Sequence, residues 1–188
     1  ILKNNIDKKL RDKAINEYEK TASNFTVDED SRSITEISKT IDEYINKNED
    51  KPVVFIDYLQ IIKPEKDSLG YRQAVDTNIS LLKRMSRRYE IPIIVISSFN
   101  RSSYNTQVSY KSFKESGTIE YTGDVVLGMQ LTDIGHGEND LEVIEDKMSE
   151  EITRIKLSSL KNRNFISHQD VELKFHKKVN YFSLVENN

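Results

Sequence analysis

The sequence predicts an α/β fold built on a parallel sheet, and three observations carry that expectation. Val53, Val54, Phe55 and Ile56 form an unbroken apolar run opened by Pro52. Such a run reads as a strand buried on both faces, the kind found in parallel sheets. A second run, IPIIVISS, starts at Pro92 and ends at Ser97 and Ser98. Between them lies a long helical pattern, so strand, helix and strand make a right-handed βαβ unit.

Composition bounds the class. The 188 residues suffice for one domain with a sizeable core. Hydrophobic residues make up 36% and charged residues 31%, ordinary proportions for a globular chain. No stretch approaches about 18 consecutive apolar residues, so no membrane span is expected. There are no cysteines, which excludes disulfides and thiolate metal sites and accords with a cytoplasmic location. His136, His168 and His176 lack metal-ligand spacing. A net charge of −3 argues against bulk adhesion to nucleic acid, though not against a local basic surface.

In chain order, Ile6, Leu10, Ala14 and Tyr18 recur at helical spacing, predicting a leading helix over residues 1–23. The chain starts at Ile1 without methionine and inside that pattern, as expected of a fragment of a longer protein. Asn24–Asp28 is a short strand candidate. Ser33-Ile34-Thr35-Glu36 matches a capping box, in which serine and glutamate satisfy free N–H groups at a helix start. Ile34, Ile37, Ile41 and Tyr44 then share one face, predicting a helix to about Lys47.

The strand at Val53 ends on Asp57. In open α/β sheets, ligands sit beyond the carboxyl ends of the strands. Asp57 there can hold Mg²⁺, usually through water. The ordinary alternative is that it caps the next segment or pairs with a nearby base. Lys63–Gly70 is polar and reads as a loop. Tyr71–Glu90 reads as a helix with Val75, Ile79, Leu82, Met85 and Tyr89 on its apolar side. Lys83, Arg84, Arg87 and Arg88 lie opposite, and most of them read as a solvated face.

Phe99–Gly123 is a long polar connection. Arg101, Lys111 and Lys114 make it basic, and Phe99, Tyr104, Tyr110 and Phe113 interleave aromatic rings. That mixture suits single-stranded nucleic acid, with cations on phosphates and rings on bases. The ordinary alternative is a variable surface loop. Asp124–Leu131 is a third strand. Residues 132–151 form an acidic excursion, read as a solvated insertion. Thr153–Leu160 is a fourth strand. Val171–Phe175 alternates strictly and turns back into Tyr181–Val185, so the chain ends in a β-hairpin.

Four segments together resemble one family. FIDYLQII (Phe55–Ile62), SSFNR (Ser97–Arg101), FKESGTIEYTGDVV (Phe113–Val126) and KNRN (Lys161–Asn164) are similar, in order and spacing, to the C-terminal motor domain of DnaB-type hexameric replicative DNA helicases. The resemblance covers about Phe25 to Val185. It implies a three-layer RecA-like P-loop NTPase fold, incomplete at its N-terminus and carrying the C-terminal hairpin. The whole chain would then be a single fragment of that domain.

The resemblance implies function as well. The parent would be an ATP-dependent motor that unwinds duplex DNA by translocating on single-stranded DNA, with ATP and Mg²⁺ as cofactors. Identical subunits would form a hexameric ring, with a primase or helicase loader as a further partner. Asp57 matches the Walker B carboxylate that positions Mg²⁺. Lys161 and Arg163 match cations that reach the ATP phosphates of a neighbouring subunit. Arg101, Lys111, Lys114, Glu115, Ser116 and Gly117 match the DNA-channel segments. Ser98 stands where the family usually has a glutamine that senses the nucleotide. Lys114 replaces a usual arginine, which removes the bidentate fork. Phe165 replaces a usual glycine.

One element of the pattern is missing from these residues. A phosphate-cradling loop needs Gly-x-x-x-x-Gly-Lys-Ser/Thr. None of the six glycines is followed by lysine. The family's catalytic glutamate also belongs to a strand ahead of this stretch. The fragment alone is therefore expected to be inactive. The alternatives are a non-catalytic helicase-like module that binds DNA or a partner, and another RecA-like ATPase. The Asp-Tyr-Leu-Gln segment favours the helicase over the second of these.

Overall fold

The computed structural model describes residues 8–30, 32–65, 68–104, 106–113, 116–132, 134, 140–165 and 169–185. The chain divides into two compact units, Ile1–Ser31 and Arg32–Asn188. In the first, helix α1 spans Lys8–Ala22. None of its described residues is buried, and Leu10, Ile15 and Tyr18 stand exposed. The expected strand at Asn24–Asp28 does not form, and the segment is irregular.

The second unit begins with helix α2 (Ile34–Asn48), started by the expected capping box. Glu36 Oε2 accepts the Ser33 N–H at 2.7 Å, and Ser33 Oγ accepts the Glu36 N–H at 3.4 Å. Strand β1 (Val54–Ile56) pairs in parallel with strand β2 (Ile93–Val95), Val54 opposite Ile93 and Ile56 opposite Val95. Helix α3 (Tyr71–Tyr89) makes the crossover between them. The βαβ unit is therefore present as the sequence predicts.

One face of that pair is covered. Ile41 of α2 and Val75, Ile79, Leu82 and Met85 of α3 are buried in one cluster, with Val54, Ile56, Ile93 and Val95 packed against it. On the other face, the described side chains stand exposed. Phe55 is 66% exposed and Ile96 53%, and Ile94 is also exposed. This corrects the expectation of a strand buried on both faces. An unbroken apolar run gives no hint of which of its two faces this chain itself covers.

Helix α4 (Ser116–Thr122) and two 3₁₀ turns, Arg101–Ser103 and Tyr110–Ser112, structure the connection that the sequence suggested was irregular. Four antiparallel strands follow in sheet order β3 (Val125–Leu131), β4 (Ile152–Asn162), β5 (Asp170–His176) and β6 (Tyr181–Leu184). Strands β5 and β6 form the C-terminal hairpin, stacking Phe175 on Phe182 with centroids 4.6 Å apart. Within the acidic excursion, Asp140–Ser149 forms helix α5. Asp133 and residues 135–139 lie outside the described residues.

Candidate functional site

Asp57 follows the last residue of β1 and is exposed at the carboxyl end of the parallel pair. Past the strand, two backbone bonds continue the ladder: Ile96 N–H to Ile56 O at 3.0 Å and Leu59 N–H to Ile96 O at 2.8 Å. Gln60 Nε2 then donates to Ser97 Oγ at 3.0 Å. The end of β1 is thereby tied to the end of β2, where Ser98 is half-buried. Asn78, buried on α3, donates to Ile62 O at 3.2 Å and anchors the far end of the same segment. Asp57 thus sits on a well-fastened turn with its carboxylate open to solvent. No group of three or more metal-ligating side chains occurs among the described residues. A single carboxylate suits Mg²⁺ held mainly by water and substrate phosphates.

Arg101 and Lys111 come together at the neck of one loop. Phe99 bridges to Phe113, and Asn100 N–H donates to Ser112 O at 2.7 Å. Asn100 Nδ2 also reaches the carbonyl oxygens of Lys111 (3.1 Å) and Phe113 (3.0 Å). Both cations are exposed on this closed neck.

The aromatic rings of the loop divide. Tyr104 is exposed, whereas Phe113 is buried with Phe99 edge-on to it at 5.1 Å. Tyr110 donates its hydroxyl to Leu160 O at 2.6 Å, and burial, with the charge of Glu120 adding, pushes its phenol pKa up. Three of the four rings therefore hold the loop to the sheet and are not presented to bases. The alternation of rings and cations did not reveal this, because anchoring rings and stacking rings look alike in sequence. Lys114 and Glu115 lie outside the described residues. Ser116 opens α4, and Gly117 is exposed in its first turn.

The third group lies at the end of β4. The β3–β4 register shifts between Val126 and Leu127, where β4 carries an extra residue, Leu160. Such a bulge takes one residue out of the ladder and re-aims those beyond it. Leu160 O accepts from Tyr110, and Lys161 and Arg163 follow. Lys161 Nζ donates to Glu120 O at 2.5 Å, in the last turn of α4, where a helix end favours a cation. Arg163 N–H donates to Asp124 O at 2.9 Å, and its guanidinium meets Asp124 Oδ1 at 3.0 Å. Asp124 Oδ2 accepts from Lys83 of α3.

The Lys83 hydrogen bond holds the Asp124 carboxyl below the usual range, against partial burial. The charges of Lys83, Arg163 and Arg87 add to it. Lys83 is therefore not part of a purely solvated face. The role of Asp124 was not legible in the sequence. Its only signal is a carboxylate placed just before a strand that pairs with the cationic segment.

The family model for the DnaB-like helicase C-terminal domain matches residues 2–184. The replicative DNA helicase DnaB of Mycoplasma pneumoniae is 32% identical over 171 residues, covering 88% of this chain and 33% of the relative. That of Mycoplasma genitalium is 31% identical over 147 residues, covering 76% of this chain and 28% of the relative. The chain thus spans about a third of the length of these relatives. Among solved structures, a DnaB-like replicative helicase described with its interactions with primase has a TM-score of 0.77 at 21% identity, covering 98% of this chain and 44% of that one. No described helix is long and apolar enough to cross a membrane.

Proposed function

The chain belongs to the DnaB-like helicase C-terminal domain family, and we propose that it supplies part of an ATP-driven motor that unwinds duplex DNA while moving on a single strand. The observation that carries this reading is the separation of three chemical groups on one fold. A solvent-open carboxylate, Asp57, stands at the carboxyl end of the parallel pair. A closed basic loop presents Arg101 and Lys111. Two cations, Lys161 at the end of β4 and Arg163 just past it, follow a bulge.

Each group does different work. When nucleotide and Mg²⁺ are bound, the metal neutralises phosphate charge during transfer. Asp57 would hold Mg²⁺ through water, and the Ser98 hydroxyl lies at the neighbouring strand end. Lys161 and Arg163 would reach the phosphates of ATP on an adjacent identical subunit, in a ring. Arg101, Lys111, Lys114, Ser116 and Gly117 would track the backbone of single-stranded DNA, with Glu115 in the same segment. Primase is a candidate partner, since a DnaB-like structural neighbour is described with its interactions with primase. The phosphate cradle is not among these residues, because no glycine precedes a lysine. Hydrolysis would therefore need a protein that carries the cradle together with these residues.

Subunit mixing tests the reading. Arginine fingers are typically worth about 10³–10⁵ in rate. In the assembled motor, Arg163→Ala should abolish most DNA-stimulated hydrolysis and leave nucleotide binding nearly intact. Mixing that variant with subunits whose phosphate-cradle lysine is mutated should restore part of the activity at interfaces that join an intact cradle to an intact Arg163. Normal hydrolysis by Arg163→Ala, or no recovery when the subunits demonstrably exchange, overturns the trans role.

A further inference from the structure

Asp124 stands between α4 and β3, directly opposite Arg163 at the end of the β3–β4 pair. The backbone bond from Arg163 N–H to Asp124 O extends the ladder by one rung and fixes the two residues side by side. One carboxylate oxygen then takes the guanidinium at 3.0 Å, and the other takes the Lys83 ammonium. The Arg163 side chain is still 46% exposed. A guanidinium has five N–H donors in a planar fork. Only one of its terminal nitrogens pairs with Asp124, so the held arginine keeps donors for a second anion.

Resting on the proposed trans role of Arg163, we infer that Asp124 is its positioning residue and that Lys83 is the cation that makes the hold reversible. A carboxylate paired with one cation alone would be left bare when that cation moved away. Here Lys83 stays on Asp124, so Arg163 can swing to a phosphate of a second subunit without stranding a charge. When the phosphate leaves, Asp124 draws the guanidinium back to the strand end. Between turnovers the arginine is thus kept in one orientation instead of many. A misplacement of about 1 Å at a reacting centre can cost 10²-fold in rate.

The test uses the assembled motor and steady-state ATP hydrolysis with single-stranded DNA. Asp124→Asn should lower kcat about 10- to 100-fold, the scale of a positioning loss. The KM for ATP and ring assembly should stay as in the unsubstituted protein. Asp124→Asn added to Arg163→Ala should cost nothing further, because both act through one guanidinium. Lys83→Arg should keep most activity, and Lys83→Met should lower kcat. If Asp124→Asn does not assemble, Lys83→Met/Asp124→Asn removes one cation with the anion, and it should assemble and show the same loss of kcat. The inference is overturned if Arg163→Ala is inactive while the assembled Asp124 variants turn over normally. It is equally overturned if Asp124→Asn only lowers the melting temperature, with kcat unchanged wherever the protein is folded, or if its loss adds fully to that of Arg163→Ala. Normal hydrolysis by Arg163→Ala itself marks failure of the trans role instead.

Discussion

Val108 packs against the bare backbone of Gly128. A Cβ at that position would collide with Val108 Cγ2 and approach Cγ1 to 3.1 Å. Two residues along, Gln130 Oε1 accepts the Val108 N–H. The basic loop is thus pinned in mid-course to β3, as well as at its neck by Asn100. Gly128→Val should lift the loop, and overpacking of this kind typically costs about 1–3 kcal/mol. Limited proteolysis should then cut between Arg101 and Lys111 faster than in the unsubstituted chain. An unchanged cutting rate and melting temperature would show that the Val108 contact does not hold the loop.

The start of α2 predicts an acid-side loss of stability. Hydrogen bonds from the Ser33 backbone, then from its side chain, hold the Glu36 carboxyl below its ordinary value. A carboxyl with a depressed folded-state pKa contributes stability that is present above its unfolded pKa, near 4.3. That contribution fades as pH falls through the lowered folded value. The melting temperature should therefore hold from neutral pH to about pH 5 and drop below the ordinary glutamate range. Glu36→Gln should flatten that drop. Ser33→Ala should cost about 1 kcal/mol at neutral pH. An acid profile identical in Glu36→Gln assigns the drop to other groups.

Helix α2, helix α3, the β1–β2 pair and the final hairpin were legible because local signals coincide there. The capping box, the apolar faces and the strict alternation of Val171–Phe175 each depend on neighbours a few residues apart. The motif residues Asp57, Lys161 and Arg163 were legible through their resemblance to a family. The partners of those residues were not. Asp124 and Arg163, Tyr110 and Leu160, and Val108 and Gly128 meet only through the β3–β4 register and the loop that folds onto it. A solvated lysine and a paired one look alike in a helical pattern, so Lys83 gave no sign of its bond to Asp124.

Phe55 separates the sequence pattern from the packing. Its position inside an apolar run suggested core, yet it is 66% exposed, whereas Ile41 is 4% exposed. Ile41→Ala should cost about 2–5 kcal/mol by leaving a cavity under α3. Phe55→Ala in the 188-residue chain should cost far less, about 0.5 kcal/mol or below, as for other exposed positions. Urea melts of the two variants decide it. Equal losses would mean that the outer face of the pair is covered in solution.

Asp57 combines an exposed side chain with a fastened backbone. Substitution there should leave the fold alone, since exposed changes away from caps and networks stay within about ±0.5 kcal/mol. In the assembled motor, Asp57→Ala should abolish Mg²⁺-dependent hydrolysis while the melting temperature barely moves. A variant that hydrolyses ATP normally removes Asp57 from the metal site. One that unfolds assigns it a structural role at the end of β1.

The loop carries the last prediction. Arg101 and Lys111 are exposed on a neck closed by Asn100, and of the four rings between Phe99 and Phe113 only Tyr104 is exposed to stack on a base. Binding to single-stranded DNA should therefore rest on phosphate contacts more than on stacking. For single strands, log K falls with log salt concentration at about 0.7 per phosphate neutralised. Arg101→Ala and Lys111→Ala should each reduce that slope by roughly one contact and weaken binding evenly across sequences. Tyr104→Ala should lower affinity by about 1–3 kcal/mol if the ring stacks on a base, with the salt slope unchanged. Asn100→Ala should act differently from all three. It removes no charge and no exposed ring, but opens the neck that sets Arg101 beside Lys111. Its effect should appear as a loss of affinity at every salt concentration with the slope retained, measured by fluorescence anisotropy with a labelled oligonucleotide. If Arg101→Ala and Lys111→Ala leave the slope untouched, this loop does not carry the DNA contact, and the basic neck is an ordinary surface feature.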